Sequence, residues 1–245
     1  MEQKPSLITV DLSTNKSTMI LNNYYGSYFN TIDDPFVHPN GDVWFTDPGI
    51  LSQPLRHTST MLLPTHRMWS LSLTLLFRLQ LVCPTNRPPP QLEAAAYRFR
   101  PSTGAVYLVE DTLAQPNGIA LAPDGRTIYI SDSGAANGNI SPASAHGFAF
   151  NVTGKRTVYA YDVSADATYI SNKRPVYLAQ DWIPDGLKVA ANGYIVTSTG
   201  KGVNVLDETG TLLVRVQTNY TVQNFAWTGR DLTTLWLTGI GGLVG

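Results

Sequence analysis

Four short side chains with oxygen donors stand at matching points of a phrase that recurs along this 245-residue chain. The phrase reads Asp33-Asp34-Pro35-Phe36-Val37-His38-Pro39-Asn40-Gly41, then Asn117-Gly118-Ile119-Ala120-Leu121-Ala122-Pro123-Asp124-Gly125. It returns as Asp185-Gly186-Leu187-Lys188-Val189-Ala190-Ala191-Asn192-Gly193 and, more loosely, as Asn224-Phe225-Ala226-Trp227-Thr228-Gly229-Arg230-Asp231. Asp33, Asn117, Asp185 and Asn224 open the four copies. Brought together, carboxylate and amide oxygens without Cys or His suit a hard divalent cation such as Ca²⁺ better than zinc. A cation held by few protein ligands keeps positions open for water and a substrate oxygen, polarises a carbonyl and lowers the pKa of bound water. Each side chain also has a plainer use, since an Asp or Asn before a strand often caps its own turn by accepting nearby backbone N–H groups.

Convergence requires elements that repeat. After each opening residue comes an apolar alternation, a Gly turn, and a second β-rich run: Val43-Trp44-Phe45-Thr46, Ile128-Tyr129-Ile130-Ser131, Tyr194-Ile195-Val196-Thr197 and Leu235-Trp236-Leu237-Thr238. Runs of β-branched and aromatic residues around a Gly turn predict a β-hairpin. A self-similar hairpin repeated along a chain predicts a stacked or radial architecture. The copies are spaced by 84, 68 and 39 residues, against about 40–50 residues for a four-stranded propeller blade. The longer gaps therefore hold insertions. The reading is one all-β propeller domain over 1–245, with all openings on one face around the axis.

Two stretches break the grammar. The segment Leu51 to Pro90 has an apolar run too short for a comfortable membrane span and interrupted by Arg78. It reads either as a buried or interfacial helix or as no evolved element, and is expected to be poorly ordered. The stretch Ser133 to Arg156 is rich in small polar residues and reads as a loop that packs loosely.

Composition narrows the partners. Charged residues make up 14% of the chain and the net charge is −1, so no field recommends nucleic acid or an anionic membrane. The single Cys83 excludes an internal disulfide and a cysteine-rich metal site. The stretch from Met1 to Pro5 is polar and shows no signal peptide, so secretion would need a leader ahead of it. Sequons at Asn15, Asn139, Asn151 and Asn219 add little in a chain this rich in Ser and Thr. No Gly-x-Ser-x-Gly elbow supports a serine hydrolase. His38, His57, His66 and His146 lack ligand spacing.

The phrases Pro116-Asn117-Gly118-Ile119 through Asp132, Pro184-Asp185-Gly186-Leu187, Asn40-Gly41-Asp42-Val43-Trp44-Phe45-Thr46-Asp47-Pro48 and Asn224-Phe225-Ala226-Trp227 closely resemble the regucalcin/gluconolactonase/luciferin-regenerating enzyme family. The branch looks like its fungal lactonohydrolase-type members. The resemblance covers most of the chain outside Leu51–Pro90. It implies a six-bladed β-propeller, one divalent metal such as Ca²⁺ in the channel, and hydrolysis of a small lactone. By the same resemblance Asn117 and Asp185 match metal ligands, Asp185 matches the general base, and Asp33 lines the substrate site, where many members place an Asn. Asn224 matches no usual ligand. The family's remaining ligand, a Glu in a Glu-Gly-Pro-like phrase, has no counterpart here. The expectation is therefore a chain truncated at both ends, with about four to five of six blades. Its activity is that of a divalent-metal-dependent lactonohydrolase, impaired if that Glu is essential. The alternative is a non-catalytic propeller that binds a partner through one face.

Overall fold

The computed structural model describes residues 4–49, 56–62, 76–82, 90–140, 148–240 and 242–244; over 56–62, 76–82, 137–140, 240 and 242–244 it describes the backbone alone. Every regular element among them is a β-strand. Hairpins β1 (Leu7–Asp11) with β2 (Lys16–Leu21), and β3 (Asn23–Tyr24) with β4 (Ser27–Tyr28), lead into the first large sheet. That sheet holds β5 (Pro35–Val37) and β6 (Val43–Asp47). After the separate hairpin β7 (Arg56–Leu62) and β8 (Leu76–Val82), it continues with β9 (Ala95–Arg100) and β10 (Ala105–Glu110). The second sheet has β11 (Pro116–Leu121) and β12 (Thr127–Asp132). The hairpin β13 (Ala136–Ile140) and β14 (Phe148–Phe150) intervenes before β15 (Thr157–Val163) and β16 (Ile170–Leu178). The third sheet is β17 (Leu187–Val189), β18 (Ile195–Thr199), β19 (Gly202–Leu206) and β20 (Leu212–Gln217). The fourth is β21 (Thr221–Thr228), β22 (Thr234–Ile240) and β23 (Gly242–Val244).

The four sequence copies thus become four antiparallel up-and-down sheets, each begun by its repeat phrase. Both insertions enter at the same place, between the second and third strands of a sheet, which accounts for the unequal spacings. The third sheet lacks one, because Thr199 and Gly202 close β18 onto β19 directly. Of the segment 51–90, the backbone of β7 and β8 forms strands, so the helix alternative fails over those residues. The expectation of poor order falls largely on residues outside those described.

Alternation along the central strands glues the sheets face to face, since successive side chains point to opposite sides. Val43 and Phe45 join Leu7, Phe29, Tyr97 and Phe99 on one face of the first sheet. Trp44 joins Ile119, Ile128, Ile130 and Tyr161 between the first and second sheets. Tyr129 turns the other way, toward Leu187, Ile195 and Leu206 of the third sheet. Val196 and Val203 continue with Val222, Phe225 and Leu237 toward the fourth. The strands β5, β11 and β17, which open three of the sheets, lie side by side. This is the propeller-type arrangement the repeat predicts.

The stretch Ser133 to Arg156 departs from its expectation. It is pinned by Ala135 and Ala136, both buried, against Trp182 and Ile183, and Phe150 stacks on Trp182 at 4.8 Å between ring centroids. Its two aromatic residues supply the apolar area that its small polar residues cannot.

Candidate functional site

Each opening residue sits at a kink in the first strand of its sheet. In the first sheet Asp33 N–H donates to the Thr46 carbonyl at 2.9 Å, while Thr46 N–H donates to the Asp34 carbonyl at 3.1 Å. In the third, Asp185 N–H donates to Ser198 and Ser198 N–H donates to Gly186 in the same pattern. The register shifts at the matching points of the second sheet, between Pro116 and Ile119, and of the fourth, between Val222 and Asn224. Such bulges re-aim a side chain away from the ladder.

Register corrects the fourth copy. Pro35, Ile119, Leu187 and Phe225 pair with Phe45, Ile130, Thr197 and Leu237, respectively. Counting back from these strand residues, Gln223 is the counterpart of Asp33, Asn117 and Asp185. Asn224 is the counterpart of Asp34, Gly118 and Gly186. The Asn-led phrase matched one residue out of step, and buried Phe225 fixes the true alignment, because a slip by one would turn it to the opposite face. Asn224 instead lies where a Cβ on Gly186 would meet its Oδ1 at 2.6 Å.

The other three opening residues come together from three sheets. The Asn117 side-chain amide lies beside the Asp185 carboxylate and favours its charged form, and Asp33 lies within the field of Asp185. Asn117 is buried at 7% exposure; Asp33 and Asp185 are half-buried. Burial raises the Asp185 carboxyl to about 7; the Asn117 amide opposes this and the charge of Asp34 adds to it. Asp33 is pushed well above the usual carboxylate range by burial first, then by Asp185, Asp34 and Asp47, against the pull of Lys188.

Two residues of this cluster escape a reading of the opening positions alone. Asp34, 1% exposed, takes the Lys188 ammonium on both carboxylate oxygens, at 3.0 and 3.2 Å. Lys188 thereby ties the third sheet back to the first, and also donates to the Leu187 carbonyl at 3.1 Å. The carboxylate of Asp47 accepts the backbone N–H groups of Asn30 and Thr31 at 2.9 and 2.6 Å, and so sets the segment ahead of Asp33. Asp132 does the same for Ala114 and Gln115, both at 2.9 Å, ahead of Asn117.

Lys188 bonds Asp34 and acts on Asp33 only through space, so Asp33, Asp34 and Asp185 together would carry a surplus of negative charge if all were ionised. Such a surplus is costly unless paired, protonated or metal-bound. Among the described residues no three His, Cys, Asp or Glu side chains are grouped as a metal site. The set that does converge is two carboxylates and an amide, hard oxygen donors that fit an oxygen-seeking divalent cation. The same set, with one carboxyl poised near neutrality, fits a general base for water.

The SMP-30/Gluconolactonase/LRE-like region matches residues 2–140 and 134–241 of the chain. A lactonohydrolase of Aspergillus oryzae is 42% identical over 98% of this chain and 49% of its own length. The chain spans about half the length of the curated relatives it matches. Among solved structures, a gluconolactonase from Xanthomonas campestris superposes with a TM-score of 0.67 at 25% identity, over 95% of this chain and 61% of the other. Regucalcin from Agrobacterium tumefaciens, a calcium-binding protein, superposes with a TM-score of 0.61 at 16% identity, over 96% and 62%.

Proposed function

Because the chain belongs to the SMP-30/gluconolactonase/LRE-like family, we propose that it hydrolyses a small lactone at the Asp33–Asn117–Asp185 cluster with the help of a divalent cation. The observation that carries the reading is the close approach of Asn117–Gly118 and Asp185 from adjacent sheets, where a Cβ on Gly118 would lie 2.5 Å from the Asp185 carbonyl oxygen, beside a carboxyl that burial raises to about 7. The lactonohydrolase and gluconolactonase relatives support the substrate class. The calcium-binding neighbour and the hard donor set support Ca²⁺. The four sheets are read as blades of a six-bladed ring, into which 51–90 is an insertion.

Asp185 in its ionised form takes a proton from the attacking water as the new oxygen–carbon bond forms at the lactone carbonyl. The ring C–O bond then breaks, and Asp185 returns the proton to the departing alkoxide, which leaves a hydroxy acid. Asn117 donates to the Asp185 carboxylate and holds it in one orientation. Asp33 lines the same space. Lys188, held by Asp34, offsets part of the negative charge without entering the reaction. Asp185 and Asn117 would hold the cation, with Asp33 beside them, and when bound it supplies polarisation of the lactone carbonyl.

Proton release from a panel of simple aldonolactones tests this. Asp185→Asn is expected to lower the rate by roughly 10²–10⁴-fold, the range for loss of a general base. An unaltered rate would remove Asp185 from that role. A wild-type protein that binds Ca²⁺ but hydrolyses no lactone would favour a binding propeller instead.

A further inference from the structure

A hydroxyl recurs at one position of the second strand in each of the four larger sheets: Thr46, Ser131, Ser198 and Thr238. Each is within 3.4 Å of the carbonyl of its own sheet's kink, at Asp34, Gly118, Gly186 and Asn224. Three of them also reach across to the next sheet. Thr46 Oγ1 donates to the Asn117 carbonyl, Ser131 Oγ to the Asp185 carbonyl at 2.9 Å, and Ser198 Oγ to the Gln223 carbonyl at 2.7 Å. The acceptor in each case is the opening residue of the following sheet. A hydroxyl has one donor proton and two acceptor lone pairs, and Ser131 uses both kinds, since it also accepts the Gly118 N–H at 2.7 Å.

We propose that Ser131, with Thr46, is a positioning residue that sets the separation of Asn117 and Asp185. The single Oγ atom of Ser131 joins the backbone immediately after Asn117 to the backbone of Asp185 itself. Thr46 holds the carbonyl of Asn117 from the other side. The contact is close because Gly118 has no side chain: a Cβ there would lie 2.5 Å from the Asp185 carbonyl oxygen. Ser131 is completely buried, so water cannot replace the lost bond if the hydroxyl is removed. The third strut, from Ser198, leads away from the pair to Gln223. Chemically it is the same bond, yet its length bears on a different junction. Thr46 fills the equivalent place in the first sheet, which makes Thr the conservative variant at Ser131.

This inference rests on the reading of Asn117 and Asp185 as one site, and two measurements separate their failures. The first uses the cation-free protein and follows the side-chain amide resonances of Asn117 by NMR, assigned by their loss in Asn117→Ala. Ser131→Ala and Thr46→Ala are each expected to move these resonances toward solvent-exposed values. Ser131→Thr and Ser198→Ala should leave them near their wild-type positions. The second is calorimetric titration with Ca²⁺, where Ser131→Ala should weaken binding about tenfold and Ser131→Thr by less than about twofold. Ser131→Ala should lose more Tm than Ser198→Ala, since it removes the bond to Asp185 and also leaves the Gly118 N–H without its acceptor, whereas Ser198→Ala removes the bond to Gln223. Equal effects of Ser131→Ala and Ser198→Ala on the Asn117 resonances would overturn the proposal and leave both hydroxyls as ordinary packing bonds. Should Ser131→Ala not fold, Thr46→Ala and Ser131→Thr decide the matter by the same resonances. A wild-type protein that binds no Ca²⁺ would defeat the cation reading, while the Asn117 resonances would still judge the strut.

Discussion

In the proposed function Asp185 concentrates the chemistry in one carboxyl. Its ordinary value is 3.8, and in the folded protein burial raises it to about 7. The folded state therefore holds the proton more tightly than the unfolded chain does. The stability this group contributes is full below about pH 4 and is lost as the pH climbs through about 7. Asp33 is raised in the same direction. Asp11, Asp162, Asp166 and Asp207, each bonded by nearby side-chain or backbone donors, are lowered instead, so their contribution is lost only as the pH falls below about 4. The cation-free protein should accordingly melt at progressively lower temperature from about pH 5 to pH 8, and saturating Ca²⁺ should restore stability most at the alkaline end. A melting temperature independent of pH in chelator would contradict the buried carboxyls. Asp33, Asn117 and Asp185, the set the proposal relies on, were picked out because they recur at one place in a repeat. Asp34 and Lys188 were not, because their pairing spans 154 residues and no local pattern announces it. The struts left a trace that was readable in principle: Thr46, Ser131 and Thr238 end their apolar runs with a hydroxyl, and a hydroxyl on a buried strand needs a partner.

At the level of strands, the hairpin grammar was plain but its phase was not. The fourth copy was read one residue late, at Asn224 instead of Gln223, because Asn224 mimics Asn117, and the third run stopped at Thr197 although Ser198 is the true counterpart of Ser131. Pairing along the ladder, not residue likeness, decides such questions. Glycines within one repeat likewise serve two different ends. Gly41 sits in an open turn at φ +89°, with nothing near a Cβ built on it. Gly118 has no such torsion; it is glycine because Asp185 and Leu187 of the next sheet press against it. Gly41→Ala should cost about 1–2 kcal/mol from backbone strain alone and leave Ca²⁺ binding unchanged. Gly118→Ala should cost about 1–3 kcal/mol or more through overpacking and should weaken Ca²⁺ binding as well, since the wedge displaces Asp185. Chemical denaturation alongside titration checks both; equal binding by the two variants would mean that the sheet junction does not control the site. The hairpin β13–β14 was missed as an element because its composition is that of a loop, and only Phe148 and Phe150 hint at the apolar face that docks near Trp182.

For the molecule as a whole, the repeat revealed the plan while the joints remained hidden. Sheets stacked by alternating side chains follow from runs such as Val43-Trp44-Phe45, whose neighbours face opposite ways. The joints depend on contacts distant in sequence. Arg98, 2% exposed, joins Asp42 of its own sheet to the Ala167 carbonyl of the next, at 3.3 and 2.8 Å, and Arg100 closes on Asp42 at 2.9 Å. These clamps and the hydroxyl struts hold three sheets in one relation, and the proposed function needs that relation for an amide and two carboxylates to act together. A double-mutant cycle on Ca²⁺ affinity, with Asn117→Ala, Asp185→Asn and the pair together, measures that cooperation directly. If the two residues share one ion, the double variant should bind little worse than the weaker single variant, so that the separate losses do not add. Fully additive losses, or Ca²⁺ binding indifferent to both substitutions, would contradict the account.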